Sequence, residues 1–179
     1  ILNKHSLLRN AILKDKVGNT IFTGPPGVGK TTLIDIISLN TRSELIKLNA
    51  VLSGIKELRL EILNAKNRYA KSSRKTILFI DEVHRLNAAQ QDALLPSIED
   101  GTITFLGATT ENPFFAINKA LISRLRIFKL TSLDEEDLRN IINRVVVFYK
   151  NLENPHTILI DSSATNHLIK YANGDARNL

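Results

Sequence analysis

Gly24-Pro25-Pro26-Gly27-Val28-Gly29-Lys30-Thr31 fits the pattern G-x-x-x-x-G-K-[ST]. These residue types suit phosphate binding. A triphosphate needs several N–H donors converging from a tight curve, and glycine lets a backbone come that close. Pro25 and Pro26 carry no N–H, so the donors are expected from Gly27 onward, where a helix N-terminus favours anions. Lys30 would set a point charge against the β and γ oxygens, and the Thr31 hydroxyl would ligate Mg²⁺. A chance glycine-rich turn is the bland alternative.

A second candidate follows a continuous apolar run. Ile77-Leu78-Phe79-Ile80 ends in Asp81-Glu82. Such a run suits a parallel strand buried on both faces. Its acids would then emerge at the carboxyl edge of the sheet, where α/β folds bind ligands. Asp81 would hold Mg²⁺ and Glu82 would polarise an attacking water. The alternative is a strand end that happens to be acidic.

The elements needed to position these groups can be read around them. A short amphipathic helix is expected at 6–14 and a strand at 19–23. A helix follows from Lys30 to Leu39, then a strand at 44–49. Ser53 can cap a helix with Ile55, Leu58, Ile62, Ala65 and Tyr69 on one face. After the strand at 76–80 come a helix over Ala88–Glu99, a turn at Asp100-Gly101 and a strand at 102–107. A helix at 118–124 and a strand at 126–130 complete the alternation. Alternating elements predict an α/β domain with a mainly parallel sheet over residues 1–130. From Thr131 the chain reads as helical, over 134–149, 162–172 and a start at Asp175. Residues 131–179 are thus expected to form a small helical domain, incomplete at its end. Ser132 with Glu135 suggests a capping box, and Asp134 to Asp137 complement the helix dipole.

Composition narrows the classes. The chain has 179 residues, enough for a full domain and part of a second. Hydrophobic residues make up 43% and charged residues 23%, which argues against disorder. There is no Cys, which excludes disulfides and thiolate metal sites. His5, His84, His156 and His167 lack metal-ligand spacing and read as surface or structural. No apolar run approaches a membrane span, and no secretory signal pattern is present. The net charge of +6 fits a polyanionic partner or a merely basic surface. The densest basic stretch is Lys66, Arg68, Lys71, Arg74 and Lys75. The chain lacks Met even at position 1, and both ends read as cut.

In order along the chain, Gly24 to Thr32, Leu48-Asn49-Ala50, Asp81-Glu82, Ser123-Arg124 and Gly174-Asp175-Ala176-Arg177 resemble the motifs of AAA+ ATPases of the clamp-loader clade. A narrower likeness is to the replication-associated recombination protein A family, which includes Werner-helicase-interacting relatives. It rests on Asp81 to Asn87, Gln90 to Pro96, Ile98 to Phe105 and Gly107 to Pro113, and the resemblance covers essentially the whole chain. It implies a P-loop NTPase core with a parallel five-stranded sheet flanked by helices, followed by part of a helical lid. Gly24, Pro25, Pro26, Gly27, Val28, Gly29, Lys30, Thr31, Thr32 and Asp81 would bind ATP. Thr31 and Asp81 would hold Mg²⁺, and Glu82 would be the general base.

The resemblance also implies roles for residues outside the two motifs. Thr110 would be the polar sensor ending the fourth strand, with Thr109 the neighbouring candidate. Many relatives carry Asn at that position. Arg124 would be an arginine finger for the next subunit, and Arg177 a second sensor on the lid. Asn49 resembles a residue that holds the catalytic Glu away from water. Alternatives stay open: Arg124 as a cation at a helix end, Arg177 paired with Asp175, Thr110 as a turn hydroxyl.

The implied function is a DNA-stimulated ATPase acting at replication forks in recombination and repair. The implied partners are single-stranded or forked DNA, further copies of the chain assembling through regions beyond this one, and single-stranded-DNA-binding protein. The implied localisation is cytoplasmic, nucleoid-associated in a bacterium. Other readings are a clamp-loader or Holliday-junction branch-migration subunit, and a nucleotide-gated assembly module without turnover.

Overall fold

The computed structural model describes residues 6–151 and 158–179; His5 and His156 lie outside them. In chain order the first elements are α1 (Leu7–Leu13), β1 (Thr20–Thr23), α2 (Lys30–Leu39), β2 (Glu44–Asn49), α3 (Ile55–Ser72) and β3 (Thr76–Asp81). A 3₁₀ turn (Val83–Arg85), α4 (Ala88–Glu99), β4 (Ile103–Thr109), α5 (Pro113–Ala116), α6 (Lys119–Ile122) and β5 (Arg126–Lys129) follow. The strands form one five-stranded sheet in the order β2-β3-β4-β1-β5. Every pairing is parallel. All carboxyl ends therefore lie on one edge, and that edge carries Thr23, Asp81 and Thr109.

β3 shows why its apolar run is continuous. Thr76 through Ile80 are all buried, and successive side chains point to opposite faces. Leu78 and Ile80 join a core cluster with Leu58, Ile62 and Ala65 of α3 and Leu94 and Ile98 of α4. On the sheet α2 contacts β3 and β4, burying Leu33, Ile34 and Ile37. At about 25 cal/mol per Å² of apolar surface, this two-sided burial is what holds the sheet's end residues in place.

Local chemistry departs from the sequence expectations at several points. Gly54, not Ser53, is the N-cap of α3 and makes no side-chain cap bond. The Ser53 carbonyl instead accepts from Gln90 Nε2 at 2.9 Å. Tyr69 is exposed, while Leu58, Ile62 and Ala65 form the buried stripe. β4 runs on to Thr109 because its register with β1 continues to Thr23↔Thr109. The segment expected as one helix at 118–124 contains only α6, and α5 precedes it. Asn112 and Asn118 cap these two short helices.

The chain divides into two units. The sheet belongs to the first, made of Ile1–Gly24 and Lys30–Leu130. The second is Pro25–Gly29 with Thr131–Leu179. It holds α7 (Glu135–Lys150), α8 (Ser162–Ala172) and a 3₁₀ turn (Ala176–Asn178). Leu138 and Ile142 of α7 pack with Ile169 and Ala172 of α8. The capping box of α7 is formed by Asp134 and Asp137, not by Ser132 and Glu135. Leu133 packs against the unit's core and its N–H faces the Gly174 carbonyl, before the helix begins. A single 3₁₀ turn stands where a helix was expected from Asp175, which caps it.

Candidate functional site

The phosphate loop leaves β1 at Gly24. Its N–H donates to the Thr109 carbonyl at 3.2 Å. A Cβ at Gly24 would lie 2.4 Å from the Leu130 carbonyl oxygen, so a side chain is barred by backbone. Lys30 opens α2. Its ammonium is buried and donates to the Gly24 carbonyl at 2.7 Å, bridging the two ends of the loop. Thr31 and Thr32 follow in the first turn, both exposed. The N–H groups of a first helical turn have no intrahelical acceptor, so they remain available to an anion.

Pro25 to Gly29 group with the helical unit for a local reason. Ala176 N–H donates to the Gly27 carbonyl at 3.2 Å. Gly27 has φ 66°, and a Cβ there would fall 1.5 Å from Asp175 Oδ1. The glycine is required twice, by conformation and by the approach of Asp175. Pro25 and Pro26 are exposed and Val28 is buried.

Asp81 is the last residue of β3, in register with Asn49 of β2. Its Oδ1 accepts the Glu82 N–H at 3.0 Å. Its other oxygen has no hydrogen bond from a described residue. A half-buried carboxylate with one open oxygen and the exposed Thr31 hydroxyl are hard oxygen donors of the kind Mg²⁺ takes. The donor set therefore fits the ion. Glu82 has left-handed backbone, φ 53° and ψ 44°. For a residue with a Cβ that conformation costs about 1–2 kcal/mol. Such strain concentrates where a side chain must be aimed.

Around Glu82 the structure reveals a residue that sequence reasoning missed. His84 Nδ1 lies 2.9 Å from Thr109 Oγ1 and 3.3 Å from Glu82 Oε2. Nε2 lies 3.4 Å from Glu111 Oε1. The His84 side chain is 5% exposed, against 36% for Glu82, so the ring is the fixed partner. Metal spacing was the wrong test for this histidine. The available signal was its place two residues after Glu82 in the same tight turn. Asn49 makes no such contact: its Oδ1 accepts from Val51 N–H at 2.8 Å and closes its own loop.

The sensor candidates separate clearly. Thr109 is buried at the end of β4, and its Oγ1 also accepts the Glu111 N–H at 3.0 Å. Thr110 lies one residue beyond the strand and is exposed. The Glu111 carbonyl accepts from Thr23 Oγ1 at 3.0 Å, tying this segment to the end of β1.

Arg124 follows α6. Its guanidinium donates to the Ala120 carbonyl at 2.6 Å and to Ser123 Oγ at 3.0 Å, and pairs with Glu99 at 2.5 Å. The α6 segment is anchored by buried Gln91. Gln91 Nε2 donates to the Leu86 and Ala116 carbonyls, and Oε1 accepts the Asn118 N–H. Gln91 is thus scaffolding that fixes where α6, the helix before Arg124, begins, while Gln90 bonds Asn87 and Ser53.

In the helical unit, Arg177 pairs with Asp175, with Nη2 at 2.6 Å from Oδ2 and Nε at 3.1 Å from Oδ1. Hydrogen bonding to Asp175, then its charge, raises the Arg177 guanidinium above its ordinary value.

Known proteins place this geometry. Residues 20–133 match the ATPase family associated with various cellular activities (AAA). Replication-associated recombination protein A of Haemophilus influenzae is 48% identical over 171 residues, covering 95% of this chain and 38% of that protein. The ATPase WRNIP1 of Dictyostelium discoideum is 43% identical over 157 residues, covering 88% of this chain and 18% of that protein. The chain therefore spans well under half of each of these relatives. The Thermotoga maritima RuvB Holliday junction branch migration motor superposes with a TM-score of 0.74 at 27% identity, over 96% of this chain and 55% of that one. No helix among the described residues is long and apolar enough to cross a membrane. The chain belongs to the AAA family of ATPases, in the group of replication-associated recombination protein A and WRNIP1.

Proposed function

We propose that this chain is the ATP-hydrolysing part of an oligomeric protein that acts on DNA in replication-fork maintenance, recombination and repair. The observation that carries the reading is the Asp81-Glu82 pair at the carboxyl edge of a parallel sheet, in a chain with an intact phosphate loop and 48% identity to a replication-associated recombination protein A.

Gly24 to Thr32 bind the triphosphate, with Lys30 against its β and γ oxygens. Thr31 and Asp81 hold Mg²⁺, which when bound offsets charge on those oxygens. Glu82 accepts a proton from the attacking water as its oxygen closes on the γ-phosphorus, and ADP leaves. Thr110 orients the water or the γ-phosphate from beyond the fourth strand. Arg124 completes the site of a neighbouring copy, and Arg177 reaches the γ-phosphate of its own chain after parting from Asp175. An assembly module without turnover would not need Glu82, and its strained, aimed backbone supports hydrolysis instead.

The domain reading also stands as a proposal: an α/β nucleotide-binding domain over 1–130 and a helical lid over 131–179. DNA and assembly enter through the relatives, since the basic stretch is largely engaged within the chain. Lys66 faces Asp100 at 3.8 Å, Arg74 pairs with Glu44 at 2.9 Å, and Arg68 bonds Thr76 at 2.6 Å. The test is the steady-state ATPase rate of the full-length protein with and without single-stranded and forked DNA. Stimulation by either supports the reading. A rate indifferent to both DNA forms, at concentrations that saturate binding, contradicts the DNA-dependent part.

A further inference from the structure

We propose that His84 is a positioning residue for the Glu82 carboxylate, and that it couples the place of that carboxylate to the segment following β4. The inference rests on the hydrolytic reading above and names a part of its site that the motifs do not contain.

The geometry is specific. The imidazole is nearly enclosed and meets three groups from two parts of the chain. Nδ1 faces Thr109 Oγ1 and Glu82 Oε2; Nε2 faces Glu111 Oε1. A neutral imidazole has one N–H to donate and a protonated one has two. With a proton on Nδ1 the ring has a donor facing both Thr109 and Glu82; with the proton on Nε2 alone its donor faces Glu111. The ring cannot move without breaking its contact to Thr109, a buried residue at the end of β4 held in register with Thr23 of β1. Thr109 Oγ1 also takes the Glu111 N–H, and the Glu111 carbonyl is tied to Thr23. The imidazole therefore stands on a braced platform, while Glu82 has a side chain one-third exposed on a backbone with φ 53°.

A long, part-exposed side chain left alone samples many rotamers. A general base must sit within hydrogen-bond reach of its water. With its proton on Nδ1 the ring narrows the set by offering Glu82 one nearby donor at the sheet edge. Because Thr110 lies between Thr109 and Glu111, a shift of this segment on nucleotide binding moves ring and carboxylate together. Asn49, the residue expected from the resemblance to restrain the Glu, accepts the Val51 N–H through its Oδ1.

The test uses the full-length, oligomeric protein and four variants: His84→Leu, His84→Asn, Glu82→Gln and the His84→Leu/Glu82→Gln double. Leu keeps approximate volume and removes both nitrogens. Asn returns an amide near the position of Nδ1. ATPase kinetics, ADP affinity by calorimetry and thermal melting are measured for each. His84→Leu is expected to lower kcat about 10–100-fold, the range a misplaced catalytic group produces. KM for ATP, ADP affinity and melting temperature should stay near the parent's. His84→Asn should recover most of the loss. The double variant should be no slower than Glu82→Gln alone, because a ring cannot position a base that is absent.

Unchanged kcat in His84→Leu overturns the proposal. So does equal loss in Leu and Asn, or a KM that rises in step with the fall in kcat, since packing alone would explain either. Should His84→Leu not fold, a large loss of kcat in a folded His84→Asn still overturns it. Parental turnover in Glu82→Gln is a different failure: it removes the hydrolytic reading itself.

Discussion

The guanidinium of Arg124 lies 2.5 Å from Glu99 Oε1 of its own chain, with the arginine side chain 39% exposed and the glutamate 51%. Exposed pairs of this kind contribute about 0–1 kcal/mol. Their separation is therefore cheap, and on the proposal that Arg124 completes a neighbour's site Glu99 is the resting partner it would leave. A guanidinium delivered to a transferring γ-phosphate is worth roughly 10³–10⁵ in rate. Arg124→Ala should abolish most turnover while ATP affinity and folding stay nearly intact. Glu99→Gln should retain turnover and change stability by less than about 1 kcal/mol. A rate loss in Glu99→Gln as deep as in Arg124→Ala would reject the resting-partner view. Mixing Arg124→Ala with Lys30→Ala subunits should restore some ATPase, since one contact can pair an intact finger with an intact loop. Mixed oligomers that never exceed the sum of their parents would contradict action in trans.

Gly27 is the second test. Any side chain there meets both a left-handed backbone and Asp175 Oδ1. Gly27→Ala should destabilise the protein by at least about 1–2 kcal/mol, the conformational cost alone, seen as a lower melting temperature. Since the same loop is expected to hold phosphate, nucleotide affinity should fall with it. Full stability and full affinity in this variant would show that the loop is not held by Asp175 and Ala176 as described.

Lys30 carries the third. Its ammonium bridges to the Gly24 carbonyl and is buried, so it is placed before any ligand arrives. Removing one charge-assisted contact costs about 1.5–3 kcal/mol, which is roughly 10–100-fold in affinity. Lys30→Ala should show that loss for ATP by calorimetry. Unchanged affinity would sink the phosphate-loop assignment.

Binding of DNA by the full-length protein, the fourth test, should weaken steeply with salt, because each phosphate contact releases counterions. The expected observation is a linear fall of log affinity with log salt in a fluorescence anisotropy titration. A salt-independent affinity would point away from phosphate contacts.

The parts of the fold that sequence made legible are those decided locally. The run Thr76 to Ile80 has the length and continuity of a strand buried on both faces, and the phosphate loop has a β-rich run before it and an amphipathic helix after it. Strand order could not be read, because crossovers are fixed by how α2, α3 and α4 share the two faces. Ser132 and Asp134 each precede an acid by three positions, so the pattern that pointed to Ser132 with Glu135 fits Asp134 with Asp137 equally well. Leu133, held by the core and facing the Gly174 carbonyl, decides for Asp134. α5 was missed although Asn112 and Pro113 are a cap and a first-turn proline. Within the site, the motif residues were legible and His84 was not, since its meaning depends on Thr109 and Glu111 arriving from another strand.

The central claim is that Glu82 is the base for ATP hydrolysis. Glu82→Gln keeps size and hydrogen-bonding capacity, removes the base and leaves the phosphate loop untouched. The direct measurement is the single-turnover hydrolysis rate of the full-length Glu82→Gln protein, alongside its ATP affinity. Affinity should match the parent, and the rate should fall by about 10²–10⁴. Hydrolysis at the parental rate by an assembled Glu82→Gln protein would contradict the account.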